Sequence, residues 1–313
     1  MLAAVADLSP AALCQLFYVL AAAAVLAISA TPASAQHLLT QYGARGSGEA
    51  TTSSRDKSGR DKREEWLVGI VSWLTSVGKV PHSWFMHFYI LSLSCSLFWA
   101  TQYIRHGTIL EFVVKNQASH MQISMTIEQV VLVWCLMTLQ GARRLYEYLA
   151  VLRPSSSKMW IIHWFLGNAF YLCTSIAIWI EGSQSIWYSE TPLSSTKTLP
   201  LNLIIGVAMF LFAWLMQYRC HKHLSGLKKY SLPEDGLFRY LVCPHYTCEC
   251  LLYLSLAITA APNGQLYNKT LICAVLFVSV NLGVTANGTK RWYSEKFGQE
   301  RVQGKWKMIP GVF

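Results

Sequence analysis

The sequence predicts an all-α membrane protein with seven transmembrane helices, its N-terminus lumenal and its C-terminus cytosolic. Three observations carry this. The 313-residue chain is 53% hydrophobic and only 13% charged, with a mean hydropathy of +0.31, the composition of a membrane protein. Apolar runs near 8–30, 84–104, 125–141, 160–180, 199–218, 241–261 and 269–287 approach the ~20 helical residues that cross ~30 Å of hydrocarbon. With a lumenal N-terminus, loops 31–83, 142–159 and 219–240 and the tail from Lys290 share one face and hold 22 of the 26 Lys and Arg, which makes that face cytosolic. A net charge of +10 dispersed among these loops is not a nucleic-acid-binding face.

In chain order, residues 1–42 are the first helix and its exit. Ala33-Ser34-Ala35-Gln36 resembles a signal-peptidase site, but Asp7 stands where a cleaved signal carries a cation, so a retained helix is expected. Residues 43–65 have no apolar group able to build a core and read as a disordered basic cytosolic linker. Residues 66–313 comprise an interfacial helix over Trp66–Val80, a six-helix core and a cytosolic tail. That tail carries Trp292, Tyr293, Phe297 and Trp306, more aromatic surface than a stop-transfer tail needs, and is expected to fold back on the domain. Most of the nine cysteines lie in apolar runs and imply no disulfide framework. The sequon at Asn268 falls on the lumenal side, against the membrane.

The polar stretch Gln217–Glu249 is where chemistry is expected. It gathers Arg219, His221, Lys222, His223, Lys228, Lys229 and Arg239 beside a span that carries His245, Tyr246 and Glu249. Cations at a helix boundary suit a phosphate-bearing ligand, although charge alone favours an ordinary positive-inside loop. Glu249 is the sharper signal, because a carboxylate within a span costs ~3 kcal/mol or more unless it is paired or faces a wet cavity; Arg239 is a candidate partner. His87 and Tyr89 form a second polar pair, able to polarise a carbonyl or simply to anchor an interface. Arg143 and Arg144 could clamp a pyrophosphate or fix a helix end. Cys243, His245, Cys248 and Cys250 match no zinc spacing, and no metal site is expected.

The tail, together with LPEDGLFRYLVCPHYTCECLLY, resembles the steroid 5α-reductase family. VPHSWFMHFYILSLSCSLFW, GARRLYEYL, IIHWFLGNAFYL and QYRCHKHLSGLKK resemble its polyprenal reductase branch. The resemblance covers about residues 80–313. It implies a multi-pass endoplasmic-reticulum membrane enzyme that uses NADPH to reduce the α-isoprene double bond of polyprenal to dolichal, in the dolichol pathway supporting protein N-glycosylation. The implied partners are a polyisoprenoid lipid substrate and membrane lipid. Carried over, Gln217, His221, Lys228, His245, Glu249, Tyr293 and Lys305 would bind NADPH. Steroid reductases of the family have an acid and a His-Tyr pair where this chain has His87-Phe88 and Gln140-Gly141. That departure argues against a steroid enone and leaves His87, then Tyr89, as the carbonyl-polarising candidates. The rival readings are a steroid-enone or trans-enoyl-CoA reductase of the same family, or a seven-helix receptor or scaffold.

Overall fold

The computed structural model describes residues 8–31, 78–120, 125–152, 157–187, 200–228 and 231–313. The first helix, α1, spans Pro10–Ser29 and starts with the Ser9 hydroxyl accepting from Ala12 N and a proline in the first turn. A short strand β1 (Lys79–Pro81) leads through a 3-10 turn into α2 (Met86–Ile104), which is followed by α3 (Thr108–Ala118). Helix α4 (Ile127–Tyr146) opens with a capping box between Thr126 and Gln129 and ends in a π-helical turn, Glu147–Val151. Strand β2 (Lys158–Trp160), α5 (Ile161–Ile180) and α6 (Ser183–Trp187) follow. The chain then runs through α7 (Leu201–Gly226), α8 (Pro244–Thr259), α9 (Lys269–Phe297) and α10 (Glu300–Gln303).

A long helix therefore occupies each of the seven apolar intervals. Four of them, α1, α5, α7 and α9, are long and apolar enough to cross a membrane by length and composition. Helix α8 has 16 residues, and α4 carries Glu128, Arg143 and Arg144. The molecule is an all-α, multi-pass membrane protein. At ~1.5 Å per residue, 26-residue α7 and 29-residue α9 outrun the ~30 Å hydrocarbon layer and carry their polar ends beyond it.

Two features differ from expectation. Helix α3 occupies a stretch read as a plain connection; its buried Leu110, Val114 and Gln117 recur at helical spacing, but eleven residues are too few to stand out beside the longer runs. The interval assigned to an interfacial helix ends at Lys79–Pro81 as a strand, because Pro81 cannot continue a helix and β1 pairs antiparallel with β2, Val80 opposite Met159. The rest of that interval, and the linker 43–65, lie outside the described residues.

Packing is close and mostly apolar. Helix α1 sits within the core, with Tyr18 Oη 3.0 Å from Thr174 Oγ1 of α5 and Gln15 Nε2 donating to Thr270 Oγ1 of α9 at 2.7 Å. Helices α7 and α8 touch at Gly206, where a Cβ would stand 2.1 Å from Thr259 Oγ1 and 3.0 Å from Ser255 O. Only glycine permits that approach. At the end bearing α3 and α6, three amides satisfy the last carbonyls of α8 and the turn after it. Gln129 Nε2 donates to Thr259 O and Ala261 O, Asn202 Nδ2 to Ala261 O, and Asn268 Nδ2 to Ala260 O. Asn268 is fully buried, and its side-chain oxygen also caps α9 by accepting from Thr270 N and Leu271 N.

At the opposite end, with β1 and β2, the tail folds back as expected. Trp306 N donates to Tyr240 O, Val242 N to Trp306 O and Cys243 N to Lys307 O, at 2.9, 2.8 and 3.0 Å. These bonds fix the segment that starts α8.

Candidate active site

Near the β1–β2 end, α2, α4, α7 and α8 turn their polar residues toward one another. On α4 and its π turn, Gln140, Arg143, Arg144 and Glu147 fall at i, i+3, i+4 and i+7, a single helical stripe. Helix α7 supplies Gln217 and His221, and α8 supplies His245 and Glu249; each pair is four residues apart and so lies on one face.

Across this interior, Gln217 Nε2 donates to Glu249 Oε2 and, at 3.3 Å, to His245 O. Gln140 Nε2 donates to Gln217 Oε1 at 3.1 Å. Arg143 donates to Gln217 Oε1, to the Trp214 carbonyl and, at 2.8 Å, to Gln140 Oε1, and its guanidinium lies 4.8 Å from the Trp214 ring centre. Fully buried Glu147 stands against Arg143 Nε at 3.5 Å, against Arg144 Nη1, and 2.8 Å from His221 Nδ1. Arg144 Nη2 donates to Tyr89 Oη at 2.8 Å. Two guanidinium groups thus share one carboxylate, Glu147, the charge pairing that makes such burial tolerable.

Outside the helices, the Leu232–Arg239 segment and the tail close over this end. Arg301 and Glu234 pair at 2.7 Å, and Lys305 Nζ donates to Pro233 O at 3.2 Å. Burial lowers the pKa of Lys305, with Glu234 opposing and Arg301 adding to the effect.

The structure brings Gln217, His221, His245, Glu249 and Tyr89 into one site. Tyr293 packs in the adjoining tail cluster with Val242, Val302 and Met308, and Lys228 is exposed beyond the end of α7. His87 is placed elsewhere. Its Nδ1 accepts from Trp164 Nε1 at 3.2 Å, and its ring lies 5.4 Å from that of Trp84. Residues two apart on a helix do not share a face, which separates His87 from Tyr89. Glu249 is satisfied by Gln217, not by Arg239. Arg143 and Arg144 do not form an exposed clamp, because their guanidinium groups are committed to Gln217, Glu147 and Tyr89.

Residues 157–313 match the model of the 3-oxo-5-alpha-steroid 4-dehydrogenase family. The chain belongs to that family. Among its similar relatives is the polyprenal reductase of Saccharomyces cerevisiae, 32% identical over 234 residues, 74% of this chain and 75% of that protein. The polyprenal reductase of Drosophila melanogaster is 28% identical over 273 residues, covering 77% of this chain and 78% of its own length. Polyprenal reductase 1 of Arabidopsis thaliana is 28% identical over 254 residues, covering 70% and 77%. The steroid dehydrogenase family match begins at residue 157, so it contains Gln217, His221, His245 and Glu249 but not Tyr89 or the α4 stripe. The polar cluster draws on both halves of the chain.

A nicotinamide dinucleotide fits the donor set. Glu249, held by Gln217 through one oxygen, offers a carboxylate acceptor that a carboxamide can match, and Lys222, Lys228 and Arg239 are exposed cations suited to phosphates. The ring nitrogen Nε2 of His223, beside Phe238, is buried without a hydrogen-bond partner among the described residues. Gln140 was missed as a site residue; its place in the polar stripe of an otherwise apolar α4 was the available signal.

Proposed function

We propose that this protein reduces the α-isoprene double bond of a polyprenal to dolichal with NADPH, as a multi-pass enzyme of the endoplasmic reticulum membrane serving dolichol synthesis for protein N-glycosylation. The observation that carries the reading is the convergence of Gln217, Glu249 and the Tyr89–Arg144 pair at one end of an apolar bundle. The polyprenal reductases matched over most of the chain give it its substrate.

In this reading α2, α4 and α8 also span, making seven helices with a lumenal N-terminus and the site at the cytosolic end. The basic loops support this sidedness: β1 pairs with β2, Glu147 contacts His221, and the tail contacts Tyr240, so the four cation-rich segments meet at one end. Residues 43–65 act as a linker between the first helix and the reductase core.

When bound, NADPH supplies the hydride that adds to the β-carbon of the conjugated aldehyde. Gln217 and Glu249 orient the nicotinamide end, with the cations of the α7 loop, Lys305 and Tyr293 toward the remainder. Tyr89 donates a hydrogen bond to the aldehyde oxygen as negative charge gathers there, and the α-carbon then takes a proton from solvent. A small cavity between α2, α4 and α5 is lined by Ser92, Ser96, Trp134, Met137 and Tyr171.

Membranes containing the protein should consume NADPH with polyprenal and form dolichal, with much less turnover of a steroid enone or a trans-enoyl-CoA. Oxidation of NADPH with none of the three would sink the assignment.

A further inference from the structure

We infer that Arg144 is a positioning residue for this reduction: it fixes Tyr89 so that the phenolic proton is directed to the substrate oxygen, and Glu147 in turn fixes Arg144. The inference rests on the reductase reading and adds to it the device that makes a tyrosine, rather than an acid, competent in this site.

A guanidinium has donors only, so in the 2.8 Å contact between Arg144 Nη2 and Tyr89 Oη the phenol oxygen must be the acceptor. Arg144 is the hydrogen-bond partner of that hydroxyl among the described residues, which leaves the Tyr89 proton uncommitted inside a buried polar site. The guanidinium carbon also lies 5.1 Å from the Tyr89 ring centre. A cation against the phenol oxygen favours the negative charge that builds there when its proton is shared with an enolate oxygen.

Arg144 is itself held. Its Nη1 meets Glu147 Oε2 and stands 2.8 Å from His221 Nδ1, so the planar fork is fixed at Nη1 and presents Nη2 to Tyr89. The π turn after α4 begins at Glu147, whose side chain points fully into the interior. Irregular helical turns of this kind are frequent where a side chain must be aimed.

The test compares Tyr89→Phe, Arg144→Gln, Arg144→Lys and the double variant Tyr89→Phe/Arg144→Gln in the full chain, in membranes, with polyprenal and NADPH. Tyr89→Phe and Arg144→Gln should each lower kcat by about 10²-fold, the scale of a lost proton donor, with the KM for NADPH nearly unchanged. The double variant should be no slower than either single one, because both remove the same interaction. Arg144→Lys keeps the charge but loses the fork, and should fall between wild type and Arg144→Gln only while Tyr89 is present. If Arg144→Gln does not fold, the Lys variant with and without Tyr89→Phe gives the same comparison.

Losses that multiply in the double variant, a raised NADPH KM at constant kcat, or a fully active Tyr89→Phe would overturn the positioning role while leaving the reductase assignment standing. Failure of the unaltered protein to reduce polyprenal would instead overturn the assignment and this inference with it.

Discussion

Glu147 Oε2 and His221 Nδ1 stand 2.8 Å apart although 74 residues separate them in sequence, and the carboxylate that makes this contact is fully buried. The same group faces Arg143 and Arg144. One carboxylate therefore joins the end of α4 to α7 and keeps two interior cations paired.

Glu147→Gln should be strongly destabilising. It keeps the shape but leaves the guanidinium groups without their carboxylate, a change of about 3–5 kcal/mol for a broken buried pair. A thermal unfolding scan of the purified protein in detergent measures it; an unchanged Tm would mean that solvent or lipid already screens this cluster.

Glu249→Gln should act on cofactor affinity more than on stability. Gln217 can still donate to the new amide oxygen, so the α7–α8 contact survives. The acceptor charge proposed to meet the nicotinamide is lost, and NADPH binding should weaken about tenfold or more, the equivalent of ~1.5 kcal/mol for one charge-assisted bond. NADPH titration at constant polyprenal reads this directly, and an unaltered KM would move the nicotinamide away from Glu249.

Asn268 should carry no glycan despite its sequon. Its side chain is buried and committed to Ala260 O, Thr270 N and Leu271 N. Endoglycosidase treatment should leave the electrophoretic mobility unchanged, whereas Asn268→Ala should cost roughly 1 kcal/mol or more through the lost cap.

Gly206→Leu should separate α7 from α8. No side chain fits where a Cβ would already stand 2.1 Å from Thr259 Oγ1. Overpacking of this kind costs typically ~1–3 kcal/mol, and because Gln217 and Glu249 ride on the same two helices, activity should fall with stability. A variant that retains both would show that the helices can slide apart without loss.

Much of the fold was legible because hydrocarbon imposes a simple length rule: each of the seven apolar runs contains a helix, and four of these are long and apolar enough to cross a membrane. Helix α3 escaped that rule because it buries only Leu110, Val114 and Gln117. The site was partly legible. Glu249, His245, Gln217 and His221 stand out as polar groups within or beside apolar runs, and the structure brings them together. Their partners were not legible, because sequence alone does not say which faces of α4, α7 and α8 meet. Arg239 was a reasonable candidate partner for Glu249 by charge, yet an uncharged amide from the neighbouring helix holds that place. His87 and Tyr89 look alike as a pair only until helical rotation is considered, which sends one toward Trp164 and the other toward Arg144.

The bonds from Trp306 and Lys307 to the start of α8 have a consequence for biosynthesis. Helices of a membrane protein enter the bilayer in turn as the ribosome makes them, so α1, α5 and α7 can be inserted while the β-bridge between Leu241 and Trp306 does not yet exist. Until the chain has been made at least as far as Lys307, the helix that carries His245 and Glu249 has no fixed beginning. A nascent chain stalled short of that point would be membrane-embedded yet lack the bonds that fix the start of α8, and a premature stop just before it should yield an inserted protein without them.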